Sequence, residues 1–427
     1  MHRILGTAVG KTVKQITRLR GGSGQALPGL VVERLFPSYL ARMLAQIPEG
    51  VVVVTGTNGK TTTTKMVVEM LQASGKRVLT NPTGSNLTRG IIAGMSDQAT
   101  ISGKLPFDVA VFELDEAFAR RFVKQVKPRW VLALNVTRDQ LDRFGEVDTA
   151  AAMIAETMQA ATEGIVTNAN DPRLLPLAQS IAADTSRKLE YFGVADRLRP
   201  FFPSENELVS VEEQKPKAAA AAVVPAVELV DFKSQHVTYI INGQRYGIDL
   251  QLSGQHNFQN AAAALALVRA VAPAVPVPEL VRSVTAVTPA FGRGEIFRLQ
   301  NGSALQMVLV KNPAGFRQAL ASYLPSGSDV MIAINDNHAD GRDMSWLWDV
   351  DFSSLQGQKI YATTGKRASD MALRLQYDDI AVPKIEPNLQ ASLKGFCALP
   401  GDKLLLTTYT AMLSFYDRLT REAGKKL

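Results

Sequence analysis

The chain has 427 residues, of which 46% are hydrophobic and 20% are charged, a composition typical of a globular protein with two or three domains. No apolar run reaches the roughly 18 residues that a transmembrane helix needs, and the first residues lack the apolar core of an export signal. The single cysteine, Cys397, excludes an internal disulfide and argues against a cysteine zinc site. We therefore expect a cytoplasmic protein.

The formal net charge of +7 favours a polyanionic partner, which can be nucleic acid, anionic lipid or a charged substrate. Nucleic acid is the least favoured of these, because no stacking aromatics alternate with the Lys and Arg residues. Residues 1–48 form a basic N-terminal segment, whose first part alternates apolar residues with Arg3, Lys11, Lys14, Arg18 and Arg20 at near-helical spacing. This pattern predicts an amphipathic helix. The helix either packs on its own protein or lies at the inner face of an anionic membrane.

The stretch "GVVVVTGTNGKTTTTKM", residues 50–66, is typical of a phosphate-binding loop between a strand and a helix. In such loops the backbone amides and the helix N-terminus hold phosphates, a Lys neutralises their charge, and a Thr hydroxyl contacts Mg²⁺. Lys60 and Thr61 have these positions. The loop is shorter than the common P-loop, since Val54 stands where the common spacing has Gly and Gly56 is three residues before Gly59. We predict ATP binding.

Short apolar runs alternate with helical patterns after the loop, which predicts an α/β fold with a parallel sheet. The expected strands are "RVLT" (77–80), "DVAVFEL" (108–114), "WVLALNV" (130–136) and "GIVTNA" (164–169), and one expected helix covers 149–162. Ligands of such folds bind at the carboxyl ends of the strands. The loop, Glu113, Asn135 and Asn168 lie at or near such ends, so we expect them to share one site.

The later part of the chain contains a break and a second α/β block. Residues 204–228 are acidic and then Ala-rich, which predicts a surface insertion. A hairpin on Asn242-Gly243 and a helix in "HNFQNAAAALALVRAV" follow. Strands are expected near 304–310, 329–334, 359–364 and 403–407. We expect a central domain at 49–290 and a C-terminal domain at 291–427, with the boundary near "TPAFGRGE".

Six motifs in chain order resemble the central motifs of the Mur ligases, which are ATP-dependent amide-forming enzymes. They are "TGTNGKTT", Glu113, "NVTRDQLDRFG", "NANDP", "GQHNFQNAAAA" and "FGRGE". The resemblance implies a P-loop ATPase domain with a parallel sheet, followed by a smaller Rossmann-like α/β domain. "VKNPAGF" and "NDNHADGRDMSWLWDVDF" resemble the MurT branch of this family, the ligase-like subunits of lipid II isoglutaminyl synthases.

The resemblance implies a reaction and a partner. The reaction is ATP-dependent amidation of the D-glutamate α-carboxyl of the lipid II stem peptide, through an acyl phosphate. A GatD-type glutaminase in a heterodimer would supply the ammonia. Two rivals stay open, namely a stand-alone Mur-type ligase that adds an amino acid and a non-catalytic scaffold that activates a glutaminase. The 55 residues before Gly56 are too few for the domain that grips a nucleotide-linked precursor, which suits a lipid-linked substrate.

The resemblance also assigns site residues. The loop residues that would hold ATP are Gly56, Thr57, Asn58, Gly59, Lys60, Thr61 and Thr62. Lys60 would stabilise the transferring phosphoryl group, and Thr61 and Glu113 would bind Mg²⁺. The alternative for Glu113 is a structural acid at a strand end.

Three further residues are expected to contact the nucleotide. Asn257 and Asn260 would lie around the adenine, with capping of their helix as the alternative. Arg293 would reach the phosphates across the domain junction, unless it is a surface linker arginine.

Two departures from the family pattern concern metals. Gln140 stands in "RDQLD" where many Mur ligases have His, and no lysine between Arg143 and Asp171 is available for carbamylation, so a second metal site is not supported. The four-cysteine zinc ribbon of many MurT relatives is also missing, and we predict no structural zinc.

Glutamine hydrolysis needs a nucleophilic Cys and a His oriented by a carboxylate. Cys397 has no nucleophile-elbow motif around it, so we do not expect this chain to hydrolyse glutamine. By resemblance, Asp349 completes the partner's triad as a catalytic residue. The alternative is that Asp349 caps the turn before "FSSL", with Trp346 and Trp348 in the core.

Overall fold

The computed structural model of the protein describes residues 2–19, 27–81, 88–137, 147–202, 223–289, 292–324 and 327–422. The chain divides into two compact units. The first contains residues 1–136, 148–250 and 258–287, and the second contains 137–147, 251–257 and 288–427. Among the described residues, no helix is long and apolar enough to cross a membrane.

The first unit begins with three helices, α1 (His2–Leu19), α2 (Leu27–Leu35) and α3 (Tyr39–Leu44). Helix α1 packs through its small residues, because a Cβ added at Gly6 would lie 2.4 Å from the Tyr39 ring and the hydroxyls of Thr7 and Tyr39 are 2.8 Å apart. The N-terminal helix therefore packs on its own protein, which is the first of the two interpretations of its sequence. The apolar side chains of α1 are not the ones that make this contact.

A nine-stranded sheet forms the centre of the first unit, in the order β2-β3-β1-β4-β5-β6-β7-β8-β9. Its strands are β1 (Val51–Thr55), β2 (Val78–Thr80), β3 (Val109–Glu113), β4 (Trp130–Ala133), β5 (Gly164–Asn168), β6 (Lys188–Val194), β7 (Val227–Lys233), β8 (His236–Ile241) and β9 (Gln244–Asp249). All neighbours from β2 to β7 pair parallel, and β7, β8 and β9 form an antiparallel extension. Every residue of β1 is buried, and β3 and β4 pair with its two edges.

Helices connect the strands from β1 to β6, and two more helices follow β9. They are α4 (Lys60–Ala73), α5 (Thr88–Gln98), α6 (Glu116–Phe122), α7 (Val147–Gln159), α8 (Leu174–Ala183), α9 (Gln255–Val271) and α10 (Val277–Thr285), with a 3-10 turn at Asp196–Phe201. The parallel α/β fold and its four expected strands are confirmed. The predicted insertion covers residues 204–228, and its part up to residue 222 lies outside the described residues. The predicted end of the insertion, residue 228, is wrong. Val227 and Glu228 belong to β7 and pair with Phe192 and Gly193 of β6.

The second unit contains a six-stranded sheet in the order β10-β11-β15-β12-β13-β14. The strands are β10 (Arg293–Arg298), β11 (Ala304–Leu309), β12 (Asp329–Ala333), β13 (Lys359–Thr364), β14 (Ile385–Glu386) and β15 (Lys403–Thr407). Only β10 is antiparallel to its neighbour. The helices of this unit are α11 (Pro313–Tyr323), α12 (Ala368–Gln376), α13 (Leu389–Ala398) and α14 (Tyr409–Glu422), with 3-10 turns at Ser345–Asp349 and Ser353–Leu355.

Two apolar clusters form the core of the second unit. One includes Phe316, Trp346 and Phe352, and the other includes Phe297, Phe396 and Phe415. The strand residues of these clusters belong to the four strands that the sequence predicts in this region and to β10, which it does not predict.

Candidate functional site

The loop between β1 and α4 owes its shape to two glycines with positive φ. Gly56 has φ of 132° and Gly59 has φ of 83°, values that L side chains rarely adopt. Neither position has room for a side chain. A Cβ added at Gly56 would lie 2.9 Å from the Asn135 carbonyl oxygen, and one added at Gly59 would lie 2.3 Å from Asn260 Oδ1. The backbone therefore turns tightly from the buried strand into the N-terminus of α4.

Lys60 is the first residue of α4 and is 8% exposed. Its ammonium donates hydrogen bonds to the carbonyl oxygens of Gly56 and Thr57. Glu116, also buried, has a carboxylate oxygen 4.0 Å from the same ammonium. The positive charge is thus held at the loop, next to the end of a helix that attracts anions.

Thr61 and Glu113 meet where β3 ends and α4 begins. The Thr61 hydroxyl donates to Glu113 Oε1 at 2.7 Å, and both residues are buried. Asn81, at the end of β2, holds the Glu113 backbone, since its Nδ2 donates to the Glu113 carbonyl at 3.0 Å and its Oδ1 accepts from the Glu113 amide at 2.9 Å. The carboxylate therefore has a fixed position beside the hydroxyl.

Asn135, which follows β4, fastens the loop from the other side. Its carbonyl accepts from the Thr57 amide at 3.0 Å, and its side chain makes two hydrogen bonds with the Asn58 backbone, at 2.9 and 3.0 Å. The next residue, Val136, donates its amide to Asp171 Oδ2 at 3.0 Å. The strand-end residue Asn135 is thus part of the loop structure.

Asp171 is a buried carboxylate behind this contact. Its Oδ1 accepts from the amides of Arg173 and Leu174, at 3.0 and 2.9 Å. Burial raises the pKa of Asp171 above its ordinary value, while the hydrogen bonds from the Leu174, Val136 and Arg173 amides oppose the rise. Asp171 therefore positions the chain that carries Asn135.

The two predicted adenine-contacting amides have different surroundings. Asn260 is buried, and its Oδ1 lies against the Cα of Gly59, closely enough that no larger residue fits there. Asn257 is also buried, and its Nδ2 donates to the Ser253 carbonyl at 2.7 Å. Both lie inside α9, after its first residue Gln255, so neither stands at the capping position that the alternative requires.

Of the remaining predicted residues, Thr57 and Asn58 lie in the same turn and Thr62 lies in the first turn of α4, and Thr57 and Thr62 are buried. Asn168 belongs to β5, and its Oδ1 accepts from the Asn170 amide. This hydrogen bond lies outside the set that joins the loop, Glu113 and Asn135. Arg293 opens β10 in the second unit. Its contact with phosphates stays a prediction.

Asp349 ends the 3-10 turn Ser345–Asp349 on an exposed part of the second unit. The alternative from the sequence is that Asp349 caps a turn, with Trp346 and Trp348 in the core. The part that concerns Trp348 is wrong. Trp346 is buried but Trp348 is 50% exposed, and the amide of Ser353 donates at 2.9 Å to Asp351. The Asp349 carbonyl accepts from the Arg317 guanidinium.

The oxygens of Thr61 and Glu113 fit a magnesium ion. Adjacent ligands of an octahedral Mg²⁺ with bonds of about 2.0–2.1 Å lie about 2.9 Å apart, and Mg²⁺ takes one or two protein oxygens with the rest from phosphates and water. The two oxygens, 2.7 Å apart in their hydrogen bond, are close enough to serve as two such neighbouring ligands. Within the described residues no group of three or more His, Cys, Asp or Glu forms a metal cluster. Gln140 and residues 204–222 of the predicted insertion lie outside them.

Sequence reasoning missed Glu116, Asn81 and Asp171. Glu116 is the third residue after Glu113, at the start of α6, where acids are common for capping reasons alone, and the side chain of Asp115 does cap that helix. Asn81 had a usable signal, because a polar residue directly after a buried strand of a parallel sheet lies at the ligand-binding edge.

Comparisons with known proteins identify the family of the chain. The Mur ligase middle domain matches residues 54–268 and the MurT ligase C-terminal domain matches 309–412. The MurT subunit of the lipid II isoglutaminyl synthase (glutamine-hydrolyzing) of Streptococcus pneumoniae is 31% identical over 436 residues, which is 94% of this chain and 93% of that protein. The corresponding Staphylococcus aureus subunit is 29% identical over 438 residues, 96% of each chain.

Solved structures share the fold. The MurF ligase of Thermotoga maritima, in complex with ADP, superposes with a TM-score of 0.67 at 15% identity, and the match covers 92% of this chain and 84% of that one.

Proposed function

Since the chain belongs to the MurT branch of the Mur ligase family, we propose that it is the ligase subunit of a lipid II isoglutaminyl synthase. It is an ATP-dependent ligase, and its substrate would be the α-carboxyl of D-glutamate in the lipid II stem peptide. The observation that carries the proposal is the joint placement of Lys60, Thr61 and Glu113 at one loop, in a chain similar to MurT subunits along nearly its whole length.

A carboxylate does not react with ammonia until one of its oxygens becomes a leaving group. In the proposed reaction that oxygen attacks the γ-phosphorus of ATP, the bond to ADP breaks, and an acyl phosphate forms. Ammonia then attacks the carbonyl carbon, loses a proton, and expels phosphate that keeps the carboxylate oxygen. Such phosphoryl transfer depends mainly on positioning and on charge stabilisation.

The described side chains suit these two tasks. The loop amides and the start of α4 would hold the phosphates of ATP, and the Lys60 ammonium would turn from the loop carbonyls to the transferred group. Thr61 and Glu113 would hold Mg²⁺, which when bound neutralises phosphate charge. Asn135 keeps the loop in shape, and Asn260 closes the space above Gly59.

The nitrogen would come from a glutaminase partner of the GatD type. The relatives are named as glutamine-hydrolyzing enzymes and as subunits, which supports a partner chain. Asp349 is exposed and therefore accessible to a histidine of another subunit. Next to it, Trp348 and Tyr377 are 50% and 70% exposed with ring centroids 5.1 Å apart, and such aromatic residues are enriched in the centres of protein interfaces.

We also propose that the protein works at the inner face of the membrane, because lipid II is held there by its lipid tail. No described helix spans a bilayer, so this location would be peripheral.

Purified chain should be assayed with ATP and lipid II, with each nitrogen donor in turn. The proposal expects ammonium to support amidation by the chain alone, and glutamine to support it only when the glutaminase subunit is added. A product that contains a whole amino acid would favour the stand-alone ligase. Absence of lipid II-stimulated ATP consumption by the chain and by the complex would favour the scaffold.

A further inference from the structure

The outward side of helix α1 is apolar. Ile4, Leu5, Ile16 and Leu19 are 48%, 46%, 46% and 88% exposed, whereas the residues that α1 buries are Gly6, Thr7 and Gly10. A helix that served only to cover its own protein would bury its large apolar side chains. Here they face away from the protein.

Three of these side chains, Leu5, Ile16 and Leu19, form one stripe together with Ala8 and Thr12. At 3.6 residues per turn, Leu5, Ala8, Thr12, Ile16 and Leu19 fall within about 80° of one another around the helix axis. All five are exposed. The stripe lies on the side of the helix away from Gly6 and Gly10, whose contacts with Tyr39 and Ser96 fix the orientation of α1.

Segments that pack against α1 carry more exposed apolar side chains. On α2 these are Leu27 and Leu35, which are 50% and 61% exposed. Ile101 is 87% exposed, and its loop touches the start of α1, because a Cβ added at Gly103 would lie 3.1 Å from the Arg3 backbone.

The charged residues of α1 are all basic, and they lie on the sides of the helix away from the stripe. Helix α1 has four Lys and Arg residues and no Asp or Glu. Arg3 and Arg18 are exposed, as are Arg34 of α2 and Lys104 beside Ile101. The nearby acids are paired, Asp97 with Lys14 at 2.6 Å and Glu33 with Arg89 at 3.1 Å. The exposed charges of these segments would therefore act as cations.

We propose that the apolar stripe of α1 docks on an anionic lipid bilayer, with Leu5, Ile16 and Leu19 inserted among the acyl chains and Arg3 and Arg18 at the headgroups. An apolar stripe alone would equally suit a protein or a second copy of the chain. The exposed cations of α1, of α2 and of the loop at Lys104, with the neighbouring acids paired, are complementary to anionic headgroups. This docking surface would account for the proposed membrane location. Only its biological purpose rests on the proposed lipid-linked substrate.

The test is sedimentation of the full-length chain with phosphatidylcholine vesicles, with and without phosphatidylglycerol. The variants are Leu5→Glu/Ile16→Glu, which removes the apolar contact, and Arg3→Glu/Arg18→Glu, which reverses the charge. Val224→Glu is the matched control, because Val224 is an apolar residue of the same unit, 87% exposed and outside α1 and α2. All three change exposed side chains. Deleting α1 would instead uncover Tyr39, so deletion is not used.

Wild type and the control should bind the vesicles that contain phosphatidylglycerol and leave phosphatidylcholine vesicles unbound. Each double variant should lose at least about tenfold in affinity, since one Lys or Arg near an anionic surface contributes about fivefold. Circular dichroism should show unchanged helix content. The assay contains neither ATP nor lipid II, so its outcome is independent of the ligase proposal.

Equal vesicle binding by wild type and both double variants would overturn the inference, as would no binding by wild type. A dimer of wild type that becomes monomeric in Leu5→Glu/Ile16→Glu would also overturn it, because the stripe would then be an interface between two copies.

Discussion

The Thr61 hydroxyl lies 2.7 Å from Glu113 Oε1, although the two residues are 52 positions apart in the sequence. The parallel pairing of β1 with β3 brings them together, because Val54 and Glu113 are partners in the register and α4 starts a short turn after β1. The proposed chemistry depends on this contact.

Lys60→Ala should reduce ATP consumption and amide formation at least about 100-fold, the loss typical of removing one group that stabilises transition-state charge. The fold should persist, because among the described residues the ammonium donates to carbonyls of its own loop and approaches Glu116. Lys65→Ala is the control, since Lys65 lies on the same helix and pairs with Glu69 at 2.9 Å. Near-normal amidation by Lys60→Ala would disprove the ATP-site assignment.

Glu113→Gln should raise the Mg²⁺ concentration needed for half-maximal ATP turnover and lower the maximal rate by about 100-fold. Glutamine keeps an oxygen that accepts from Thr61, so thermal unfolding should change little, while the charge that attracts the cation is lost. Glu69→Gln on α4 serves as the control. An unchanged Mg²⁺ titration would leave Glu113 with the structural role of the alternative.

Asp171→Asn should lower the free energy of unfolding by about 1–3 kcal/mol at neutral pH, because an amide Nδ2 would face the Val136 N–H, leaving one donor without an acceptor. The variant should also bind ATP more weakly, since Asn135 would be less well fixed. Denaturant unfolding and nucleotide titration measure the two effects. An unchanged affinity for ATP would remove Asp171 from the positioning of the loop.

The same variant tests the pKa of Asp171. Burial raises that pKa in the folded state above 3.8, its ordinary value, so the folded state holds this proton more tightly than the unfolded state. This contribution to stability is complete below pH 3.8 and is lost as the pH rises through the folded pKa. The stability advantage of wild type over Asp171→Asn should therefore shrink from acid to neutral pH. An advantage that grows with pH would contradict the raised pKa.

Asp349→Asn should abolish amidation with glutamine, by up to about 10⁴-fold, if Asp349 orients the partner's histidine. Ammonium salt at high concentration should restore the product, because the acyl phosphate chemistry belongs to Lys60 and Glu113. Asp351→Asn is a nearby control, in which both activities should persist with a small loss of stability from the Ser353 contact. Loss of both activities in Asp349→Asn would assign Asp349 to folding or to the ligase site, and retention of both would leave it without a catalytic role.

The sequence predicted those features that a local pattern determines. The buried strands appear as apolar runs, and Lys60, Thr61 and Glu113 follow from the loop motif and from the rule that ligands bind at the carboxyl ends of parallel strands. Glu116 was missed because its position at a helix start has a local explanation, whereas its approach to Lys60 depends on how α6 follows β3.

The orientation of α1 shows a second limit. Periodicity predicted an amphipathic helix, but it cannot tell which side packs against the protein when small residues can form a close contact. Gly6 and Gly10 leave room for the Tyr39 ring and Ser96, and that fit, visible only in three dimensions, turned the larger apolar side chains outward.

The most direct test of the central claim follows an oxygen atom. Lipid II labelled with ¹⁸O in the α-carboxyl of D-glutamate is converted by the chain with ATP and ammonium, and the phosphate released is analysed by mass spectrometry. If the reaction proceeds through an acyl phosphate, one phosphate that carries one ¹⁸O is released for each amide formed. Lys60→Ala should release no labelled phosphate. Amide formed together with unlabelled phosphate would contradict phosphorylation of the carboxylate and with it the proposed role of this site.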